Sequence, residues 1–130
     1  MPQTPIKVLL VEDDLMLCDM YQMKFTSEGF DVWKGNNGVE GLKLLQEKGT
    51  PDIILLDVIM PQMDGFTMLA KVKENAAWKN VPVILLTNLG QDNDVKKGIA
   101  MGANDYLVKA NFTPAQVVEK VKALLQSIKS

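Results

Sequence analysis

Four short apolar runs in this chain each lead into a residue that can do chemistry. IKVLLV is followed by Glu12, Asp13 and Asp14; DIILLD ends on Asp57; VPVILL is followed by Thr87; DYLV is followed by Lys109. Histidine is absent, every one of the 14 basic residues is Lys, and Cys18 is the only cysteine. A phosphohistidine, a Ser-His pair and a His metal site are therefore excluded, and the available chemistry is that of carboxylates, hydroxyls and lysine. A carboxylate can act as a nucleophile. A lysine offers a point charge suited to phosphoryl oxygens.

Taken singly, each of these residues has a plainer reading. An Asp at a strand end commonly caps a helix or opens a turn, and Asp14 is read as the cap of the first helix. The conjunction matters more. β-branched apolar runs at 6–11, 52–57 and 81–86 predict buried strands, with a short polar edge strand at 30–34 and a last strand at 105–108. Helical spacing or composition marks 15–28, 39–48, 66–75 and 91–101, with Gly29 and Gly49 as stops. Gly98 is unfavourable within the fourth of these helices. Thr113-Pro114-Ala115-Gln116 is a capping-box opening to a fifth. Five strands alternating with five helices predict an α/β fold, a parallel sheet covered on both faces. In such a sheet ligands bind beyond the carboxyl ends of the strands. Glu12, Asp13, Asp57, Thr87 and Lys109 would then share one rim. Clustered carboxylates repel one another, and a hard divalent cation such as Mg²⁺ relieves that repulsion while leaving room for phosphate oxygens. The set suits phosphoryl transfer, in which positioning and charge neutralisation supply most of the rate.

Composition sets the frame. A chain of 130 residues, 47% apolar and 23% charged, suits one domain with one hydrophobic core. The net charge of −2 and the lack of Arg argue against nucleic acid as a partner. The amino terminus lacks the pattern of a signal peptide, and no run is long enough to span a membrane. A cytoplasmic protein is expected, with Cys18 buried and inert.

The segments VLLVEDD (8–14), ILLDVIMPQMDG (54–65), VILLTN (83–88) and GANDYLVKA (102–110) occur in the order and spacing of the receiver domain of bacterial response regulators, which the chain resembles from about residue 6 to 128. The resemblance implies a flavodoxin-like, doubly wound five-stranded sheet in the order 2-1-3-4-5. One receiver domain over 1–130 is expected, with no output domain after it because the last helix ends with the chain, the alternative being a piece cut from a longer protein. The resemblance implies Asp57 as phosphoacceptor, and Mg²⁺ held by Glu12, Asp13, Asp57 and the carbonyl of Ile59, Asp13 being the direct ligand of the acidic pair. Thr87 and Lys109 would contact the phosphoryl oxygens, and Tyr106 would be an aromatic switch that turns inward as Thr87 moves. The two-state element would be the loop after Thr87 with the fourth helix. Such a domain is a signalling switch that catalyses only its own phosphorylation and dephosphorylation.

The implied partners are a sensor histidine kinase or phosphotransfer protein and a downstream target on the face of the fourth helix, fifth strand and fifth helix; Leu15 and Met16, just beyond the acidic cluster, are candidates for the kinase-docking surface, the plainer reading of both being core packing or chance exposure. The protein would be a monomer or a phosphorylation-dependent dimer. The chain departs from the family pattern in three places. Ala110 stands where Pro usually follows the lysine, and a cis bond to a non-Pro residue costs about 2.5–4 kcal/mol, so a trans bond and a changed loop are expected. Asn88 follows Thr87 where a smaller residue is common. Ile59 and Leu89, at positions that tune the lifetime of the phosphoryl group, are both apolar. The alternative is a pseudo-receiver, a binding module that is never phosphorylated. A haloacid-dehalogenase-type phosphatase needs a second Asp two residues after the nucleophile, where Ile59 stands. A nucleotide-binding fold needs a Gly-rich loop after the first strand, where the acids stand.

Overall fold

The computed structural model describes residues 4–88 and 92–129. Its strands are β1 (Lys7–Val11), β2 (Asp31–Gly35), β3 (Ile53–Leu56), β4 (Val83–Thr87) and β5 (Asp105–Val108). The helices are α1 (Leu15–Ser27), α2 (Gly38–Lys48), α3 (Gly65–Glu74), α4 (Asp92–Ala100) and α5 (Pro114–Lys129), with a single 3-10 turn at Lys109–Asn111. All strands are parallel, in the order β2-β1-β3-β4-β5, as the resemblance implies.

Alternation along the central strands divides the core. Val8 and Leu10 of β1, Ile53 and Leu55 of β3 and Ile84 and Leu86 of β4 pack on one face with Cys18, Tyr21 and Phe25 of α1 and Val117, Val118 and Val121 of α5. Leu9, Val11, Ile54, Leu56, Val83 and Leu85 pack on the other face with Leu45 of α2, Met68, Leu69 and Val72 of α3 and, more loosely, Val95 of α4. Burial of both faces explains why these strands read as unbroken apolar runs rather than alternating ones. Cys18 lies within the core, and burial pushes its thiol up to about 11, which keeps it protonated and inert.

Side chains close most helix starts. Asp14 Oδ1 accepts from Leu17 N at 3.1 Å, so the cap expected at Asp14 is present. Asp64 Oδ1 accepts from Thr67 N at 2.8 Å. Thr113 and Gln116 exchange bonds, Thr113 N to Gln116 Oε1 at 2.8 Å and Gln116 N to Thr113 Oγ1 at 3.2 Å. At α2, Glu40 N donates to Asn37 Oδ1 and Asn36 N donates to Glu40 Oε1, both at 2.9 Å. Element boundaries shift by a residue or two from the sequence reading. β3 ends at Leu56, which leaves Asp57 free of the ladder's strand geometry, and β4 begins after Pro82, which has no N–H to donate.

Gly65 opens α3 in a crowded place. Its N–H donates to Val58 O at 2.8 Å, and a β-carbon there would run into the Asp57 carbonyl oxygen and lie 2.7 Å from Val58 Cα. The obstacle is backbone, so a side chain must displace the loop that carries Asp57. Gly65→Ala should lower stability by about 1–3 kcal/mol in urea titrations. Thr113→Ala, which removes only a cap, should cost about 1 kcal/mol. Equal midpoints for Gly65→Ala and the parent protein would contradict this account of the β3–α3 junction.

Candidate functional site

Register sets the site. Val11 is level with Leu56 of β3, Leu56 with Leu85 of β4, and Thr87 with Val108 of β5. The residues that follow, Glu12, Asp57 and Lys109, therefore meet Thr87 at one rim of the sheet. Backbone bonds extend the alignment past the strands: Asp57 N donates to Val11 O and Glu12 N to Gly35 O, both at 3.0 Å. These side chains, with Asp13, Asp14, Leu17, Ile59 and Asn88, line one cleft of about 250 Å³. Every rim residue expected from the sequence is brought together there. Leu17 also lines the cleft, and its place in the helical pattern of α1 gave no sign of that role.

At the centre is an ammonium between two acids. Lys109 Nζ donates to Glu12 Oε1 and Oε2 at 2.8 and 2.7 Å and to Asp57 Oδ2 at 3.0 Å. Glu12 and Asp57 are 2% and 5% exposed, and Thr87 is fully buried. Burial pushes the Glu12 carboxyl up to about 7; Lys109 pulls it down and Asp57 adds to the rise. Burial also raises the Asp13 carboxyl, again with help from Asp57. Desolvation opposes the charge on Lys109, but its bonds to Glu12 and Asp57 prevail and hold it above the ordinary lysine value.

Glu12, Asp13 and Asp57 each place a carboxylate oxygen within 4.8 Å of the others. An all-oxygen set with two buried acids and one exposed acid fits a hard divalent cation that keeps part of its water. Ile59 borders the same cleft, with its side chain 58% exposed. Tyr106 stands apart from the cleft. It lies level with Leu85 in the sheet, and its ring is turned inward into the core on the α3 and α4 side, 9% exposed. The bond after Lys109 is trans, as expected for Ala110, and the chain leaves β5 through the 3-10 turn. Leu89 lies outside the described residues.

The raised carboxyl of Glu12 has a signed consequence for stability without metal. In the unfolded chain Glu12 ionises near 4.5, and in the folded protein near 7. Between those values the folded state keeps a proton that the unfolded state has released, so stability falls as pH rises through the window. In chelator-treated protein, Glu12→Gln should flatten this fall. Urea titrations at several pH values across that range give the comparison, and parallel pH profiles for the two proteins would count against the assignment.

A family model for the response regulator receiver domain matches residues 8–122. The uncharacterized transcriptional regulatory protein YclJ of Bacillus subtilis is 36% identical over 96% of this chain and 53% of its own length. The transcriptional regulatory protein CpxR homolog of Haemophilus influenzae is 38% identical over 92% of this chain and 50% of its own. The chain thus spans about half the length of these curated relatives. Among solved structures, the chemotaxis protein CheY4 of Vibrio cholerae superposes with a TM-score of 0.86 at 30% identity, covering 92% of this chain and 98% of that one. A putative response regulator from Chloroflexus aurantiacus gives 0.86 at 32% identity, covering 95% and 99%. With the fold, the strand order and the motif segments all in agreement, the chain belongs to the response regulator receiver domain family of two-component signalling.

Proposed function

We propose that this domain takes a phosphoryl group onto Asp57 from a phosphohistidine on a sensor histidine kinase or phosphotransfer protein, and that this changes a protein-binding face. The observation that carries the reading is Lys109, bonded at once to Glu12 and Asp57 in a cleft whose acids fit a divalent cation. One oxygen of the Asp57 carboxylate attacks phosphorus, the bond from phosphorus to the donor imidazole breaks, and an acyl phosphate forms. Glu12, Asp13, Asp57 and the Ile59 carbonyl would hold Mg²⁺, which would supply neutralising charge to the phosphoryl oxygens. Lys109 is already within 3.0 Å of an Asp57 oxygen and would follow the charge onto the phosphoryl group. Thr87, on the neighbouring strand, would donate its hydroxyl to another of those oxygens.

The donor would approach over the start of α1. Leu15 and Met16 are 63% and 74% exposed there, so neither is spent on core packing. The output would be read on the face of α4, β5 and α5, by a protein partner or by a second phosphorylated copy. The cytoplasm suits such a domain, and among the described residues no helix is long and apolar enough to cross a membrane. The pseudo-receiver alternative gains no support from a site in which acceptor, acids and lysine are all in contact distance.

Intact mass after incubation with Mg²⁺ and a small phosphodonor tests the reading. The parent protein should gain one phosphoryl group; Asp57→Asn protein and chelator-treated protein should gain none. A gain that persists in Asp57→Asn, or no gain with any donor, would falsify it. The lifetime of the phosphoryl group is a separate matter. Ile59 borders the cleft with a side chain that cannot orient an attacking water. Autodephosphorylation should therefore be slow, and Ile59→Asn should shorten the half-life roughly three- to tenfold, well below the 10²–10⁴ of a full general base. A parent half-life no longer than that of the variant would rule this out.

A further inference from the structure

Helix α4 rests on the sheet in an unusual way: its one buried residue is a glycine, Gly98. A β-carbon there would lie 2.5 Å from Leu85 Cδ1 and 3.2 Å from Tyr106 Cδ2. Leu85 and Tyr106 are direct neighbours across the β4–β5 ladder, so two adjacent strands present their side chains to one point on the helix. Thr87 lies two residues along β4 from Leu85 and so on the same face of the sheet. The rest of α4 is loosely held. Val95 is partly buried, Ile99 is 46% exposed, and Lys97 reaches back to the Phe66 ring at 4.4 Å from its centroid.

From this geometry we propose that Gly98 is a positioning residue of the switch, the slot that lets α4 lie close to the sheet while Tyr106 is turned inward. The proposal rests on the phosphoacceptor reading for its purpose but not for its physics. Leu85 is fully buried among core side chains, whereas Tyr106, 9% exposed, sits on the edge strand. A methyl group at position 98 therefore acts on the ring or on the helix. It turns Tyr106 outward or lifts α4, with Leu85 as the fixed post. Conversely, a movement of the Tyr106 ring is felt by α4 directly, because no side chain of the helix intervenes at that point.

The chain has two tyrosines, and the other, Tyr21, is 2% exposed in the opposite core. Tyrosine accessibility is thus a clean reporter, read by ring-labelled NMR and by nitration mapped to each residue in the unphosphorylated protein. Gly98→Ala should expose Tyr106, raising its nitration rate at least roughly fivefold, and leave Tyr21 protected. Leu85→Val, which removes the crowding atom, should leave Tyr106 protected when made alone. Combined with Gly98→Ala it should restore that protection, a coupling that a merely structural loss would not produce. If Gly98→Ala is folded with Tyr106 still protected, or if the double variant neither folds nor regains protection, the proposal is overturned. Because no phosphoryl group is involved, this result stands apart from the mass test of Asp57. A parent protein that fails that test leaves the contact intact, and a protein that passes it does not prove the contact.

Discussion

Two buried carboxylates, Glu12 and Asp57, share the ammonium of Lys109, and the rim of the sheet is organised around that sharing. Removing two like charges from water in one place is unfavourable unless a cation and hydrogen bonds accompany them. Here the cation arrives from β5, across 97 residues from one acid and 52 from the other. Parallel register makes this possible by bringing the strand ends level. Gly65 contributes from the other side, allowing α3 to begin hard against the Asp57 backbone. On the proposed reading the same interaction would prepare the site for its chemistry, because the charge that compensates Asp57 is the charge that a phosphoryl group would need.

Much of this was legible in the sequence because the two kinds of signal did not overlap. Apolar runs of four to six residues marked the strands, and each polar residue of interest stood directly at the end of one. The strand order came from the resemblance; periodicity alone cannot distinguish one arrangement of buried parallel strands from another. Contacts between distant residues were less legible. Nothing in the run DYLVKA says that Lys109 will be bonded to Glu12, since a lysine after a strand reads equally well as solvated. Gly98 is a second case of a contact the sequence does not show. Helix propensity marks it as a defect, whereas packing against Leu85 and Tyr106 makes its missing side chain a requirement. Boundaries moved at β3 and β4 because a strand ends where its ladder partner ends, a property of the neighbour rather than of the strand itself.

The two faces of the sheet serve different ends. On the α1 and α5 side, Phe25, Tyr21 and three valines of α5 make a dense, interlocked layer. Here Glu28 joins the two helices through Lys122 at 2.6 Å. On the other side α2 and α3 are anchored by large apolar residues, but α4 is held by the close approach of Gly98 to Leu85 and Tyr106, the partly buried Val95 and one cation over a ring. On the proposed reading, a domain that holds an acceptor in place while altering a surface would benefit from this division. The dense layer packs against β1 and β3, which lead into the acids, and also against β4 and β5, while the lightly held helix lies on the other face beside Leu85 and Tyr106.

The long separation between Glu12 and Lys109 bears on the life of the protein before it signals. A chain is made from its amino terminus, and the acids at 12, 13 and 57 emerge well before the lysine that compensates them. Until β5 has docked on β4, the rim holds Glu12 and Asp57 without the ammonium that joins them. A chain without β5 would therefore leave these two acids uncompensated even with most of its sheet formed. On the proposed reading of Asp57, the last strand of the sheet is the one that would make the site ready for a phosphoryl group.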